Sequence, residues 1–264
     1  PLYDMIKVLD LDKKKKIKGL SAQRADILPA ALAVIKSFVS YMNVENFTIS
    51  GAGLREGIMF NQALPSTIEK PVSDVLTYSL TTLVKWYDCD EHHVEHVVNL
   101  SIQLFKQLRV LHKFPRQYLK VLKVAATLHD CGMRIKYYNH QRHSWYMILN
   151  ANLYGVSHRE IVLAAFTACC HKKEDINPLD WARFKDILHE DDIEIVKRLG
   201  VMLRIAESLD RSMSGCIKGI NCDILGDSVI MKTEVEGDAS LEIRDAMAAG
   251  AEFKKSFHKN LEIL

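Results

Sequence analysis

The sequence lacks any apolar run long enough to cross a membrane, because Lys, Arg, Asp or Glu interrupts every candidate short of the roughly 18 residues required. It also lacks a surplus of either charge, with 35 Lys and Arg against 33 Asp and Glu. No global field therefore calls for a nucleic acid or an anionic bilayer, and any polyanion must be met by a local patch. The six cysteines, Cys89, Cys131, Cys169, Cys170, Cys216 and Cys222, show no CxxC spacing, and no secretory leader precedes them. They read as reduced thiols in a cytoplasmic protein. Internal repeats and low-complexity tracts are missing too, and the run Lys13 to Lys16 reads as a solvated surface. A starting methionine is absent: Pro1-Leu2-Tyr3-Asp4 leads at once into a helical-looking stretch, as in an excised fragment.

What is present is apolar side chain in quantity, 48% of 264 residues, enough for a large core and for one to three domains. Up to about Leu64 the reading is α/β. A helix runs from Ile27 to Met42 with Pro29 making its first turn irregular, followed by a short strand Phe47-Thr48-Ile49-Ser50. The glycine loop Gly51-Ala52-Gly53-Leu54-Arg55-Glu56-Gly57 then opens a second helix. Leu64-Pro65-Ser66-Thr67 and Lys70-Pro71 mark a linker. From Val72 to Arg211 the pattern is helical throughout, with helices expected near 72–87, 90–111, 115–129, 140–152, 157–171 and 191–211. Ser157 with Glu160 forms a capping box, Asp90 suits an N-cap, Pro115 a first helical position and Gly132 a helix stop. In the tail, Val229 to Val235 alternates after a Gly226-Asp227 turn and predicts a hairpin, and Ala246 to His258 a short amphipathic helix.

Within the helical block, potential ligands fall at or near predicted helix ends: His93, the adjacent pair His129-Asp130, His143, His171, and the acids Glu207 and Asp210. A scattered histidine is most often a core residue bonded to a carbonyl. The adjacent pair carries more information. It follows the apolar run Val121 to Leu128, so an acid and an imidazole stand where a buried helix ends, and burying them unpartnered is costly. A metal ion removes that cost.

His93-Val94-Glu95-His96-Val97, Ala125-Ala126-Thr127-Leu128-His129-Asp130-Cys131-Gly132, His143, Cys170-His171 and Ile205-Ala206-Glu207 resemble, in order, the motifs of the HD superfamily of metal-dependent phosphohydrolases. One position departs: the last ligand of that family is usually an Asp after Ala, and here it is Glu207, with Asp210 one turn on. The flanks Arg24-Ala25-Asp26, Ile49 to Gly57, His140-Gln141-Arg142-His143-Ser144 and Leu203 to Ser212 are similar to the exopolyphosphatase and guanosine pentaphosphate phosphohydrolase (Ppx/GppA) family.

That resemblance implies a mainly α chain in three parts. Residues 1–66 would end an actin-like α/β lobe, 67–212 would form an HD-type helical bundle, and 213–264 a small α+β domain. It further implies a phosphoanhydride hydrolase acting on polyphosphate or guanosine pentaphosphate, cytoplasmic and homodimeric, with no nucleic acid or membrane partner. Its early phosphate-binding turns and catalytic glutamate are not found here, so the catalytic residues of the main lobe are unknown in this chain. The implied metal ligands are His93, His129, Asp130, His143, His171 and Glu207, holding one or two divalent ions, Mg, Mn or another. Phosphate would be met by Gly51, Gly53 and Arg55 in the glycine loop, and by a rim of His140, Arg142, Lys172 and Arg211, joined by Lys173 and Arg204. The plainer readings are close packing for the glycine turn and solvated surface for the rim. Tyr137, Tyr138, Trp145 and Tyr146 suit stacking on a guanine or a place in the core. The competing function is a catalytically inert HD module for polyphosphate binding and dimerisation.

Overall fold

The structure, a computed structural model, describes residues 2–47, 49–64, 72–172 and 176–264. It divides into two compact units, Pro1–Ile68 and Glu69–Leu264. The expected linker residues 65–71 lie outside the described residues.

The first unit holds α1 (Leu2–Lys7), α2 (Leu11–Lys15), a 3-10 turn at Ala22–Arg24, α3 (Leu28–Met42) and α4 (Leu54–Ala63). Pro29 falls in the first turn of α3, where its missing N–H leaves no bond unmade. Asn43, in the left-handed conformation, ends the helix. Neither α3 nor α4 has a buried residue, and Val34, Phe38, Tyr41, Ile49, Leu54 and Met59 are all exposed. The strand expected at 47–50 does not form among the described residues: Phe47, Ile49 and Ser50 are irregular, and Thr48 lies outside them. A strand is held by its ladder, and no other strand occurs among the described residues of this unit to pair with it.

The second unit is built on α5 (Val75–Trp86), α6 (Glu91–Gln107), α7 (Arg109–His112), α8 (Gln117–Leu128), α9 (His140–Asn150), α10 (His158–Cys169), α11 (Pro178–Ala182) and α12 (Asp192–Ser208). α6 packs on α8 and α12, both of these pack on α10, and α9 packs on the outer side of α10. The seams are Leu100 and Leu104 of α6, Leu122 and Leu128 of α8, Leu163 of α10, and Leu199, Met202 and Leu203 of α12, all fully buried. Each such side chain contributes about 1.5–3 kcal/mol by leaving water. Starts are fixed as the caps predict: Asp90 accepts the His93 amide at 2.8 Å, and Ser157 and Glu160 cap α10 reciprocally. Gly200 lets α12 approach α10 closely, since a Cβ there would lie 2.5 Å from Cys170 Cβ.

The tail adds β1 (Ile217–Leu225), β2 (Ser228–Val235), α13 (Ser240–Met247), α14 (Gly250–Phe257) and β3 (Asn260–Ile263). β1 and β2 form the expected hairpin around Gly226-Asp227. β3 was not anticipated, and it pairs parallel to β2 with Val229 opposite Leu261 and Met231 opposite Ile263. The expected helix 246–258 is interrupted near Ala249, giving α13 and α14. Gln103 of α6 accepts from the Ile220 amide at 2.9 Å, and Arg204 of α12 pairs with Glu252 of α14, tying the tail to the bundle.

Candidate metal centre

Four imidazoles from four helical segments converge on one carboxylate. His93 stands in the first turn of α6, His129 ends α8 with Asp130 directly after it, His140 opens α9, and His171 follows α10. Asp130 Oδ2 lies 3.8 Å from His93 Nε2 and 3.5 Å from His129 Nε2. Its Oδ1 lies 3.2 Å from His140 Nε2 and 3.6 Å from His171 Nε2. The ligand atoms thus form two groups, His93–His129–Asp130 and Asp130–His140–His171, each within 4.8 Å. Asp130 is common to both.

The other ring nitrogen of each histidine is already engaged. Nδ1–H of His129 donates to the Ala126 carbonyl at 2.8 Å, that of His140 to the Tyr137 carbonyl at 2.8 Å, and that of His171 to the Ala168 carbonyl. His93 donates Nδ1–H to Asp210 Oδ2 at 2.8 Å, while Asp210 Oδ1 accepts the Gly215 amide. With the proton held on Nδ1, each Nε2 offers a lone pair towards the carboxylate. His140 Nε2 and His171 Nε2 stand 3.0 Å apart, a distance at which a proton or a metal ion must separate the two lone pairs. His129 Nε2 and Asp130 Oδ1 are buried with no hydrogen-bond partner. Orphaned buried acceptors around a carboxylate are what a divalent ion would satisfy, and four nitrogens with one carboxylate suit first-row metals.

The charges around the centre are dominated by Asp130. Burial alone raises the Asp130 carboxyl, but the surrounding imidazoles, His129 first, hold it well below the usual carboxylate range. Burial, then the neighbouring His129, pushes His171 well below the ordinary imidazole value. Burial pulls His93 and His140 down, yet the Asp210 bond and Asp130 for His93, and Asp130 and the Tyr137 carbonyl for His140, leave both above that value.

Comparison with known proteins adds the lineage. Residues 75–243 match the family model of Ppx/GppA phosphatase domain III, and residues 2–66 match that of the Ppx/GppA phosphatase family. The chain belongs to the Ppx/GppA phosphatase family. Guanosine-5'-triphosphate,3'-diphosphate pyrophosphatases are among the relatives of this Ppx/GppA chain. That of Aeromonas salmonicida is 29% identical over 141 residues, 53% of this chain and 28% of the relative. That of Aliivibrio fischeri (strain ATCC 700601 / ES114) is 29% identical over 153 residues, 58% and 29%. The chain spans under a third of the length of the curated relatives it matches.

The remaining residues singled out in the Ppx/GppA sequence are placed as follows. His143 is half-buried beside Gly132 and belongs to neither ligand group. Glu207, 5% exposed, also belongs to neither: its Oε1 accepts from Lys172 Nζ at 2.7 Å and from Arg211 at 3.3 Å. His140, expected on the phosphate rim, lines the cavity described below and also points Nε2 at Asp130. Arg142 pairs with Asp180 of α11 at 3.0 Å. Lys173 lies outside the described residues. Gly51, Gly53 and Arg55 belong to the first unit, where Gly53 caps α4 with its amide on Glu56. Beside the imidazoles opens a cavity of about 350 Å³ whose walls include His140, His171, Lys172, Arg204, Glu207 and Arg211. Among the described residues no helix is long and apolar enough to cross a membrane.

Proposed function

We propose that the second unit carries an HD-type divalent-metal site and that the protein hydrolyses terminal phosphoanhydride bonds, with guanosine pentaphosphate or polyphosphate as substrate. The observation that supports this is the convergence of four Nε2 lone pairs on the two oxygens of Asp130. In this reading Asp130 with His93 and His129 would hold one ion, and Asp130 with His140 and His171 a second. Bound divalent ions would lower the pKa of a coordinated water and neutralise charge on the attacked phosphate. The chain's own part is positional. The Ala126, Tyr137 and Ala168 carbonyls and Asp210 fix the imidazole tautomers, and the burial of Asp130 keeps bulk water from screening it. Phosphate would enter through the adjoining cavity, past Lys172 and Arg211. The names of the relatives favour guanosine pentaphosphate over polyphosphate. The actin-like ancestry of the first unit, a cytoplasmic setting and a homodimer belong to the same proposal, with the main catalytic lobe outside this chain.

Purified protein is expected to retain divalent metal by elemental analysis, and the double substitution His129→Ala, Asp130→Ala to remove it. Unchanged metal content in the double variant would end the metal assignment. A second reading, an inert module for polyphosphate binding and dimerisation, draws on the engagement of Glu207 by two cations. It requires tripolyphosphate binding that survives chelation and falls steeply with salt.

A further inference from the structure

The cavity beside the imidazoles holds cations, yet they are already answered. Lys172 and Arg211 both reach one oxygen of Glu207, at 2.7 and 3.3 Å, and Arg204 reaches Glu252 at 3.1 Å. Glu207 is almost fully buried, whereas the Lys172 and Arg211 side chains are 30% and 40% exposed. An acid enclosed in the wall thus anchors two flexible cations that reach water. It is set in the last turn of α12 and cannot leave, but they can turn. Asp245 adds another acid to the same wall. On the wall Lys172, Arg204 and Arg211 meet Glu207 and Asp245, and Arg204 is also paired with Glu252, so little positive charge is left over, which suits a single phosphoryl group better than several.

We propose that Glu207 is a resident competitor for phosphate: its carboxylate holds Lys172 and Arg211, the two donors that turn to a phosphoryl group when the cavity is filled. This rests on the phosphohydrolase reading for the identity of the ligand and assigns Glu207 a role in specificity instead of metal ligation. A carboxylate and a phosphoryl group both accept charge-assisted bonds from ammonium and guanidinium donors, so Lys172 and Arg211 can pass from one to the other without rebuilding the pocket. The exchange selects against charge. A single terminal phosphoryl group draws Lys172 and Arg211 away from Glu207 with little repulsion, while each additional phosphate placed near the retained carboxylate is disfavoured.

The test compares the full chain with Glu207→Gln, which keeps the side-chain shape and removes the charge, using calorimetric titration with inorganic phosphate and tripolyphosphate. The variant is expected to bind both more tightly, tripolyphosphate by at least about tenfold and by more than phosphate. Adding Lys172→Ala to it should abolish the gain. Equal or weaker binding by folded Glu207→Gln overturns the proposal. A wild-type measurement guards against a variant that fails to fold: carbodiimide should couple Glu207 to Lys172 as an amide, detected by peptide mass spectrometry, and tripolyphosphate should suppress that coupling. Coupling unaffected by saturating tripolyphosphate also overturns it. Metal content separates the two readings. Loss of metal in Glu207→Gln would make Glu207 a ligand and sink the competitor role, whereas retention of metal by His129→Ala, Asp130→Ala would sink only the phosphohydrolase reading.

Discussion

Gly132 shows how little freedom the backbone behind the metal centre has. A Cβ there would lie 2.2 Å from the His140 carbonyl oxygen and 2.4 Å from the Ser144 amide, both fixed parts of α9. Gly132→Ala should therefore push α9 away from the turn after Asp130, costing about 3 kcal/mol by denaturant titration and lowering metal content together with stability. Asp192 is another single point of dependence, fully buried and bonded to Arg159 and to the His189 amide. Asp192→Ala leaves the guanidinium unpaired and should cost about 3 kcal/mol in the same titration. His112 sets a pH limit away from the centre. Its Nε2–H donates to the Phe105 carbonyl at 2.8 Å and its Nδ1 accepts the Phe114 amide at 2.9 Å, so both nitrogens are satisfied only in the neutral ring. Burial lowers its pKa, and the unfolded chain therefore takes up the proton first. This contribution is present above about pH 6.5 and is lost as pH falls below it. Unfolding free energies at pH 8 and pH 5 should differ less in His112→Gln than in the wild type, and equal differences would rule out His112 as a source.

At the scale of the element, α3 and α4 stand apart from the rest, because Phe38, Tyr41, Leu54 and Met59 face water where α6, α8, α10 and α12 bury their leucines. A peptide of residues 1–64 is expected to show little cooperative unfolding by circular dichroism and to bind a hydrophobic dye. The helices of the second unit were legible because periodicity and caps agree: Ser157 with Glu160, and Asp90 before α6, set starts within a residue or two of those observed. β3 was not, and the strand read at 47–50 does not form among the described residues. Phe47 and Ile49 are strand-forming side chains, but the described residues of that unit offer no strand to pair with, and Asn260 to Ile263 is too short to signal a strand until β2 lies beside it. Within the centre, His129 and Asp130 were readable from their adjacency after an apolar run. The place of His140 depends on a turn that brings its ring to Asp130, and the engagement of Glu207 depends on the reach of Lys172 and Arg211 from other segments or turns. Such distances are set by tertiary packing, which no local pattern encodes.

For the molecule as a whole, the second unit contains the continuous core, and its tail is joined to it through Arg204 and Gln103. Residues 72–264 should therefore unfold in one transition, with calorimetric and van't Hoff enthalpies in agreement. The lock on the imidazoles has a consequence for motion. His129 and His171 cap the ends of α8 and α10, each ring hooked on a carbonyl of its own last turn. Metal drawing on those rings, through the two ligand groups that share Asp130, would thus staple two helix termini from within. Its removal should leave the middle of the bundle protected while deuterium enters first at the two frayed ends.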